Sequence, residues 1–180
     1  MRRAKLLSYP RADVIMSDVL TQEQRRHNMQ RIRRRNTKPE MHLRRGLHAR
    51  GYRYRVDYNG LPGRPDLALP KYKAVIFVHG CFWHGHNCPL FKWPKTRQEF
   101  WRNKIESNQT RDKRVIDDLQ KAGWRVLIVW ECALRGTERK VLDDVLSEVE
   151  YFLKTHPGTF KEISGTGAGL SQITEEPPSD

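Results

Sequence analysis

Thirteen residues near the middle of the chain, HGCFWHGHNCPLF (79–91), concentrate side chains that could do chemistry. The run holds three histidines, two cysteines, two phenylalanines and one tryptophan. Such side chains can bind a metal, transfer a proton, stack on nucleobases or fill a core. Each residue of the run therefore needs its own assignment.

The spacing of Cys81, His86 and Cys88 is compatible with a metal site. Structural zinc sites take four ligands, mostly thiolate and imidazole, in tetrahedral geometry. The fourth candidate is Cys132, which follows a second apolar segment and would reach the same loop if the two segments were neighbouring strands. A Cys3His zinc site would use all three cysteines of the chain, an odd number that argues against a disulfide framework. The alternative is that Cys132 is a small buried hydrophobic residue.

Two carboxylates are candidates for catalysis. Asp66 ends the turn G-R-P-D and opens a short strand, where Pro65 favours extended geometry at Arg64. A carboxylate there suits Mg²⁺, which prefers oxygen ligands, although an ordinary turn aspartate is equally compatible. Glu40 occupies the third position of a helix capping box, but its spacing also places it on the core-facing side of that helix.

Two histidines and two aromatic residues of the run remain. His79 and His84 could each act as a general base near neutral pH, or serve as structural histidines. Phe82 and Trp83 are consecutive, so both cannot easily face a core, and an exposed aromatic side chain can wedge between base pairs. Carboxylates and histidines in a basic chain together suggest Mg²⁺-assisted phosphodiester hydrolysis.

The elements that must position these residues indicate one α/β domain with a mixed sheet flanked by α-helices. We expect a flexible arm over 1–18, the folded domain over 19–155 and a disordered, Gly/Ser/Thr/Pro-rich tail over 156–180. Helices are predicted over 21–35, 37–51, 96–123 and 138–154, and strands over 52–58, 66–70, 73–80 and 124–131.

The charge of the chain points to a polyanionic partner. Of the net charge of +13, residues 1–55 carry +12 (16 Lys/Arg against 4 Asp/Glu) and the other 125 residues only +1. A basic segment attached to a near-neutral remainder favours nucleic acid. No apolar run reaches the ~20 residues that span a membrane, and no signal peptide is evident, so we expect a cytoplasmic, nucleoid-associated protein with no membrane partner.

Three blocks of sequence, G-R-P-D, V-I-F-V-H-G-C-F-W-H and V-L-I-V-W-E-C-A-L-R-G, resemble the very short patch repair DNA mismatch endonuclease family over roughly residues 20–153. The resemblance implies a restriction-endonuclease-like fold with a structural zinc ion and a catalytic Mg²⁺. It implies a nick in one strand, 5′ to the thymine of a T·G mismatch that arises when 5-methylcytosine deaminates.

The resemblance also implies roles for single residues. Asp66 corresponds to the metal-binding aspartate, His84 to the base that activates water, and His79 with Glu40 to the pair that supports metal-bound water. The implied zinc ligands agree with the count above, and the implied intercalating aromatics are Phe82, Trp83 and Trp101.

One position departs from the family pattern. Val78 stands where the family leads us to expect threonine. The change is harmless if that position binds Mg²⁺ through its backbone carbonyl, as we expect here.

The implied partner is double-stranded DNA with a T·G mismatch, bound by a monomer, and the family also suggests mismatch-repair proteins as partners. Two alternatives stay open: a restriction-type endonuclease that cuts fully paired sites, and a non-enzymatic zinc-containing DNA-binding module.

Overall fold

The structure, a computed structural model, describes residues 35–166 together with Thr21, Glu23, Gln24 and His27. The chain falls into two units, Met1–Arg33 and Arg34–Asp180. In the first unit, the backbone N–H of Gln24 donates to Thr21 Oγ1 (3.2 Å) and that of Thr21 donates to Gln24 Oε1 (2.8 Å), the reciprocal pattern of a helix cap at Thr21. The arm expected over 1–18 and most of the helix expected over 21–35 lie outside the described residues.

The second unit is built on a four-stranded sheet, which is mixed, as predicted. Its strands lie in the order β1 (Leu67–Leu69), β2 (Ala74–His79), β3 (Arg125–Trp130) and β4 (Phe160–Ile163). β1 is antiparallel to β2, whereas β2, β3 and β4 run parallel. The register pairs His79 with Trp130, so β2 and β3 end side by side at one edge of the sheet.

Helices cover both faces of the sheet. The helices are α1 (Lys38–Ala49), α2 (Gln98–Lys121), α3 (Glu131–Leu134) and α4 (Leu142–Lys154), and a single 3₁₀ turn spans Pro70–Tyr72. Buried side chains of α1 and α4 pack on one face, and α2 packs on the other through Leu119. The continuous apolar runs of β2 (74–78) and β3 (126–130) are those of strands that are covered on both faces. α1 begins at the predicted capping box, in which Thr37 and Glu40 cap each other's backbone N–H.

Three local predictions were wrong. The expected strand over 52–58 pairs only once, through two backbone hydrogen bonds of 2.8 Å between Arg55 and Ala68, because Asp57 then turns into the left-handed region (φ 48°). Arg64 is also left-handed (φ 50°) rather than extended, since it follows the left-handed Gly63 in a tight turn. The last helix begins at Leu142 and not at 138, and the separate α3 precedes it.

The expectation of disorder from residue 156 was wrong for the described part of the tail. β4 extends the sheet there, and the backbone N–H of Gly165 donates to Cys132 Sγ at 3.3 Å. The strand was missed because it is short, and only Ile163 in it is fully buried. Residues 167–180 lie outside the described part of the chain.

A search of the described residues finds no helix that is both long and apolar enough to cross a membrane.

The close packing of Gly165 yields a stability prediction. A Cβ atom at this position would lie 2.7 Å from Glu138 O and 2.9 Å from Cys132 O, two backbone atoms that cannot rotate away. We expect Gly165→Ala to lower the free energy of unfolding by about 1–3 kcal/mol in urea denaturation. Gly60→Ala is the control, because its Cβ would meet only the side chain of Tyr58. Equal urea midpoints for both variants would show that this part of the tail does not pack as described.

Candidate active site and metal cluster

A cavity of about 240 Å³ opens between β2 and α2 and contains several of the residues singled out from sequence. Asp66, which directly precedes β1, lines this cavity. Val78 and His79 line it from the end of β2, and His84 lines it from the loop that follows β2. The remaining lining residues come from the turn before β1, from β2 and from α2: Gly63, Arg64, Phe77, Arg111, Asp112, Val115 and Ile116.

Asp66 is held rigidly at one wall of the cavity. Its Oδ2 accepts a hydrogen bond of 2.7 Å from the backbone N–H of Val78. Burial raises the pKa of Asp66 to about 6, the nearby Glu40 adds to this rise, and the Val78 hydrogen bond and Arg44 oppose it. The structure shows no ion pair between this carboxylate and any described cationic side chain. A buried, unpaired carboxylate of this kind would be stabilised by a bound cation.

A buried ion pair lies behind Asp66. Arg44 is 8% exposed and pairs with Glu40, which is 2% exposed. The same guanidinium donates to the backbone carbonyl of Asp66 (3.1 Å) and to Asn36 Oδ1 (2.8 Å). Glu40 does not line the cavity. The structure thus connects Glu40 to Asp66 through Arg44, and the expected pairing of Glu40 with His79 around a metal-bound water stays a prediction.

Two histidines and an aspartate also line the cavity. His84 Nδ1 is hydrogen-bonded to Asp112 Oδ2, and the His79 ring stacks on the His84 ring with centroids 3.8 Å apart and planes within 7°. Burial, helped by the charge of His84, lowers the pKa of His79 to about 3, so His79 is neutral. Burial alone would raise the pKa of Asp112, but the hydrogen bond and charge of His84 outweigh it and lower that pKa. Asp112 is therefore an ionised acceptor that keeps a proton on His84 Nδ1 and leaves Nε2 as the basic nitrogen.

Sequence reasoning missed Asp112. A signal was available: Ile105, Asn108, Asp112 and Leu119 recur at helical spacing on the face of α2 that packs inward. A carboxylate on a core-facing stripe needs a partner, and this one has His84.

α2 also fixes the backbone of the loop after β2. Asn108 Nδ2 donates to Trp83 O (2.7 Å) and Gln109 Nε2 donates to His84 O (3.0 Å). Gly85 is left-handed (φ 61°), and a Cβ there would lie 2.8 Å from Ile105. A glycine is required at this closest approach of the loop to the helix.

Cys81, His86, Cys88 and Cys132 come together on the other side of the same loop. Their ligand atoms all lie within 4.8 Å of one another, and His86 Nδ1 lies 3.6 Å from Cys132 Sγ. That separation matches the edge of a tetrahedron whose metal–ligand bonds are about 2.0–2.3 Å. Hydrogen bonds from Cys81 and then His86 lower the pKa of Cys132, which favours the thiolate, the form of cysteine that binds a metal. The donor set and its spacing fit Zn²⁺.

The surroundings of the cluster hold His86 in place. The Trp130 ring stacks on the His86 ring with centroids 4.1 Å apart, and its indole N–H donates to Glu162 Oε2 at 3.1 Å. Residues of β3 and β4 therefore support the His86 ring, so the strand that sequence analysis missed also forms part of the surroundings of this cluster.

Phe82, Trp83 and Trp101 form one aromatic cluster. The ring centroids of Phe82 and Trp101 are 5.1 Å apart, those of Trp83 and Trp101 5.9 Å, and those of Phe82 and Trp83 5.3 Å. All three side chains are half-buried, so they are neither core residues nor freely exposed.

The raised pKa of Asp66 predicts how one substitution changes stability with pH. The pKa of Asp66 is about 6 in the folded protein, against an ordinary value of 3.8 that applies to the unfolded chain. The contribution of this group to stability is therefore fully present below pH 3.8 and is lost as pH rises through 6. Asn cannot ionise, so Asp66→Asn should unfold with a free energy about 1–3 kcal/mol higher than the wild type at pH 8 without added divalent metal. At pH 4 the two proteins should be nearly equal in urea denaturation.

The matched control is Asp117→Asn, an exposed position on α2. Its effect should be small and the same at both pH values. A lower stability of Asp66→Asn at pH 8 would contradict the buried, unpaired state of this carboxylate.

Comparison with known proteins places this geometry in a family. Residues 17–90 match the family model described as DNA mismatch endonuclease Vsr. The chain is 53% identical over 133 residues to the DNA mismatch endonuclease Vsr of Escherichia coli K12, covering 74% of this chain and 85% of that protein.

Two further relatives are named as nicking enzymes. The type II nicking enzyme V.XorIIP of Xanthomonas oryzae pv. oryzae is 46% identical over 71% of this chain and 98% of its own length. The type II nicking enzyme V.NmeAIP of Neisseria meningitidis serogroup A is 39% identical over 75% and 98%. These relatives are nucleases, which overturns the alternative of a non-enzymatic DNA-binding module. The chain is an endonuclease and belongs to the DNA mismatch endonuclease Vsr family.

Proposed function

We propose that the chain is a Mg²⁺-dependent endonuclease that nicks one strand of duplex DNA 5′ to the thymine of a T·G mismatch, such as the mismatch left when 5-methylcytosine deaminates. The observation that carries the proposal is that Asp66 and the hydrogen-bonded pair of His84 and Asp112 line the same cavity. Action at a mismatch is supported by the family, DNA mismatch endonuclease Vsr, and by its Escherichia coli member.

The residues at the Asp66 wall fit a hard divalent cation. The Asp66 carboxylate and the backbone carbonyl of Val78 would hold Mg²⁺, and neither depends on the threonine expected at position 78. Bound there, Mg²⁺ would neutralise charge that develops on the scissile phosphate. Arg64 and Arg111 also line the cavity and supply cations that can pair with phosphate oxygens.

His84 is the proposed general base. Asp112 fixes the proton on Nδ1, so Nε2 is free to take a proton from the attacking water. The resulting imidazolium would be stabilised by the ionised Asp112, and the stacked His79 ring restricts rotation of His84.

Zn²⁺ at Cys81, His86, Cys88 and Cys132 is the proposed structural ion. All four positions are protein ligands, which leaves no open coordination site for chemistry. Three of them belong to the loop that carries His84, so the ion would fix the backbone on both sides of the proposed base.

DNA would lie across the aromatic cluster of Phe82, Trp83 and Trp101. An aromatic wedge inserted beside a mismatch meets a base step that is already poorly stacked, which lowers the cost of opening the duplex there. We propose that a monomer binds, and that mismatch-repair proteins act with it. The alternative is a restriction-type endonuclease that cuts fully paired sites, and it is distinguished by comparing the cleavage of T·G and fully paired duplexes.

The proposed catalytic residues should separate nicking from binding. Asp66→Ala and His84→Ala should each lower the rate of nicking a labelled T·G duplex by about 100-fold or more, while binding stays within a few-fold of the wild type. Asp112→Asn should lower the rate by about 10- to 100-fold, because His84 loses its charged partner. EDTA should stop the reaction and Mg²⁺ should restore it.

The control variant is again Asp117→Asn, which lies on α2 but points to solvent. The control substrate is the same duplex with the mismatch repaired to a C·G pair. Undiminished nicking by Asp66→Ala or His84→Ala would refute the assigned roles, and equal nicking of both duplexes would refute T·G recognition.

The zinc proposal predicts a linked loss of metal and activity. Native mass spectrometry of the wild-type protein should show one zinc ion per chain. Cys88→Ser, the least buried of the three cysteine positions, should lose that ion and nick T·G duplexes at least about 10-fold more slowly, because the His84 loop loses its anchor. His42→Gln, at an exposed position on α1, should keep both. A zinc-free wild-type protein with full activity would contradict the proposal.

A further inference from the structure

Two aromatic side chains that no role above uses, Trp93 and Phe100, lie on the surface next to the aromatic cluster. Trp93 is 52% exposed and Phe100 is 46% exposed. Both are continuous with the cluster: Phe91 contacts Phe82 (6.2 Å between centroids) and Trp93 (5.0 Å), and Phe100 contacts Trp101 (5.2 Å). Exposed apolar surface that extends a functional patch in this way indicates an interaction site.

The surface around Trp93 is strongly basic. Residues 91–104 hold five Lys/Arg and one Asp/Glu, a net charge of +4, and all six charged residues are exposed: Lys92, Lys95, Arg97, Glu99, Arg102 and Lys104. No described acidic residue forms an ion pair with these cations. The Arg97 guanidinium lies 4.3 Å from the centroid of the Phe100 ring, a cation–π contact that leaves its N–H donors without a described acidic partner.

Another exposed aromatic side chain of the sheet unit, Tyr151, provides a contrast. Tyr151 is 49% exposed, but the cations near it are paired: Lys154 pairs with Glu150, and Lys161 pairs with Glu148. Unpaired cations combined with exposed aromatic rings distinguish the Trp93 surface, and this combination fits a nucleic-acid backbone.

We infer that the surface formed by Lys92, Trp93, Lys95, Arg97 and Phe100 is a second DNA contact, which binds the backbone of paired DNA flanking the mismatch. Its cations neutralise phosphates, and the Trp93 ring packs on deoxyribose, since the bases of intact flanking pairs are stacked and closed to it. The contact is therefore independent of the mismatch. The inference rests on the proposed function only in taking Phe82, Trp83 and Trp101 as the part that faces the mismatch.

The test is equilibrium binding of fluorescent duplexes without added divalent metal, measured for T·G and fully paired DNA. Trp93→Ala should weaken binding to both by the same factor, about 3- to 10-fold, and Trp93→Phe should keep most of the affinity. On a T·G duplex too short to reach the surface, Trp93→Ala should bind like the wild type. Tyr151→Ala is the control and should bind normally throughout.

The cations have a separate readout. The double variant Lys92→Ala/Lys95→Ala should reduce the slope of log affinity against log salt concentration by about 1–2, since each phosphate contact contributes about 0.9 to that slope. An unchanged slope would overturn the assignment of the lysines to phosphates.

Three results for Trp93→Ala would overturn the inference: unchanged binding to both duplexes, a loss restricted to T·G DNA, or an equal loss on the short duplex. Failure of the proposed mismatch contact is visible separately. Trp101→Ala should lower the preference for T·G over paired DNA, whereas Trp93→Ala should leave that preference intact. If Trp101→Ala keeps the normal preference while Trp93→Ala binds more weakly, the proposed mismatch contact is rejected and the flanking contact stands.

Discussion

The parallel pairing of β2 with β3 is the constraint on which the site depends. Because His79 pairs with Trp130, the loop after β2 and the short helix after β3 leave the sheet at the same point. Cys132, far away in sequence, is thereby brought to the cluster formed by Cys81, His86 and Cys88. A slip of one residue between these strands would turn the side chains of the shifted strand to the other face of the sheet. The loop after β2 and the short helix after β3 would then no longer leave the sheet at the same point.

The loop after β2 has no regular hydrogen-bonded ladder of its own, so its conformation depends on two anchors. The cysteine–histidine cluster holds one side, and Asn108, Gln109 and Asp112 of α2 hold the other. His84 lies between these anchors and lines the same cavity as Asp66. The two anchors explain why residues of the cysteine–histidine cluster and cavity residues alternate along so short a run, since successive residues of a compact loop face different neighbours.

Much of this site could be predicted from sequence because its signals are local or countable. The apolar runs of β2 and β3, the capping box of α1 and the use of every cysteine follow directly from residue type and spacing. Asp112 and β4 could not be found so readily, because each is defined by a distant partner: His84 for the carboxylate and β3 for the strand. Arg64 shows the limit of a local rule, since a tight turn overrides the bias exerted by Pro65. The Glu40 side chain was predicted to face the core, but its ion pair with Arg44 was not predicted.

We propose that one loop, fixed between two anchors, places a general base beside a metal site without itself binding that metal. The most direct measurement is diffraction from crystals of the protein bound to a T·G duplex with Ca²⁺ in place of Mg²⁺, recorded above and below the zinc absorption edge. We expect one anomalous zinc peak among Cys81, His86, Cys88 and Cys132. We also expect a separate divalent ion between Asp66 and the scissile phosphate, with His84 Nε2 facing that phosphate. Zinc in the Asp66 cavity, or an ion bound by His84 itself, would contradict the claim.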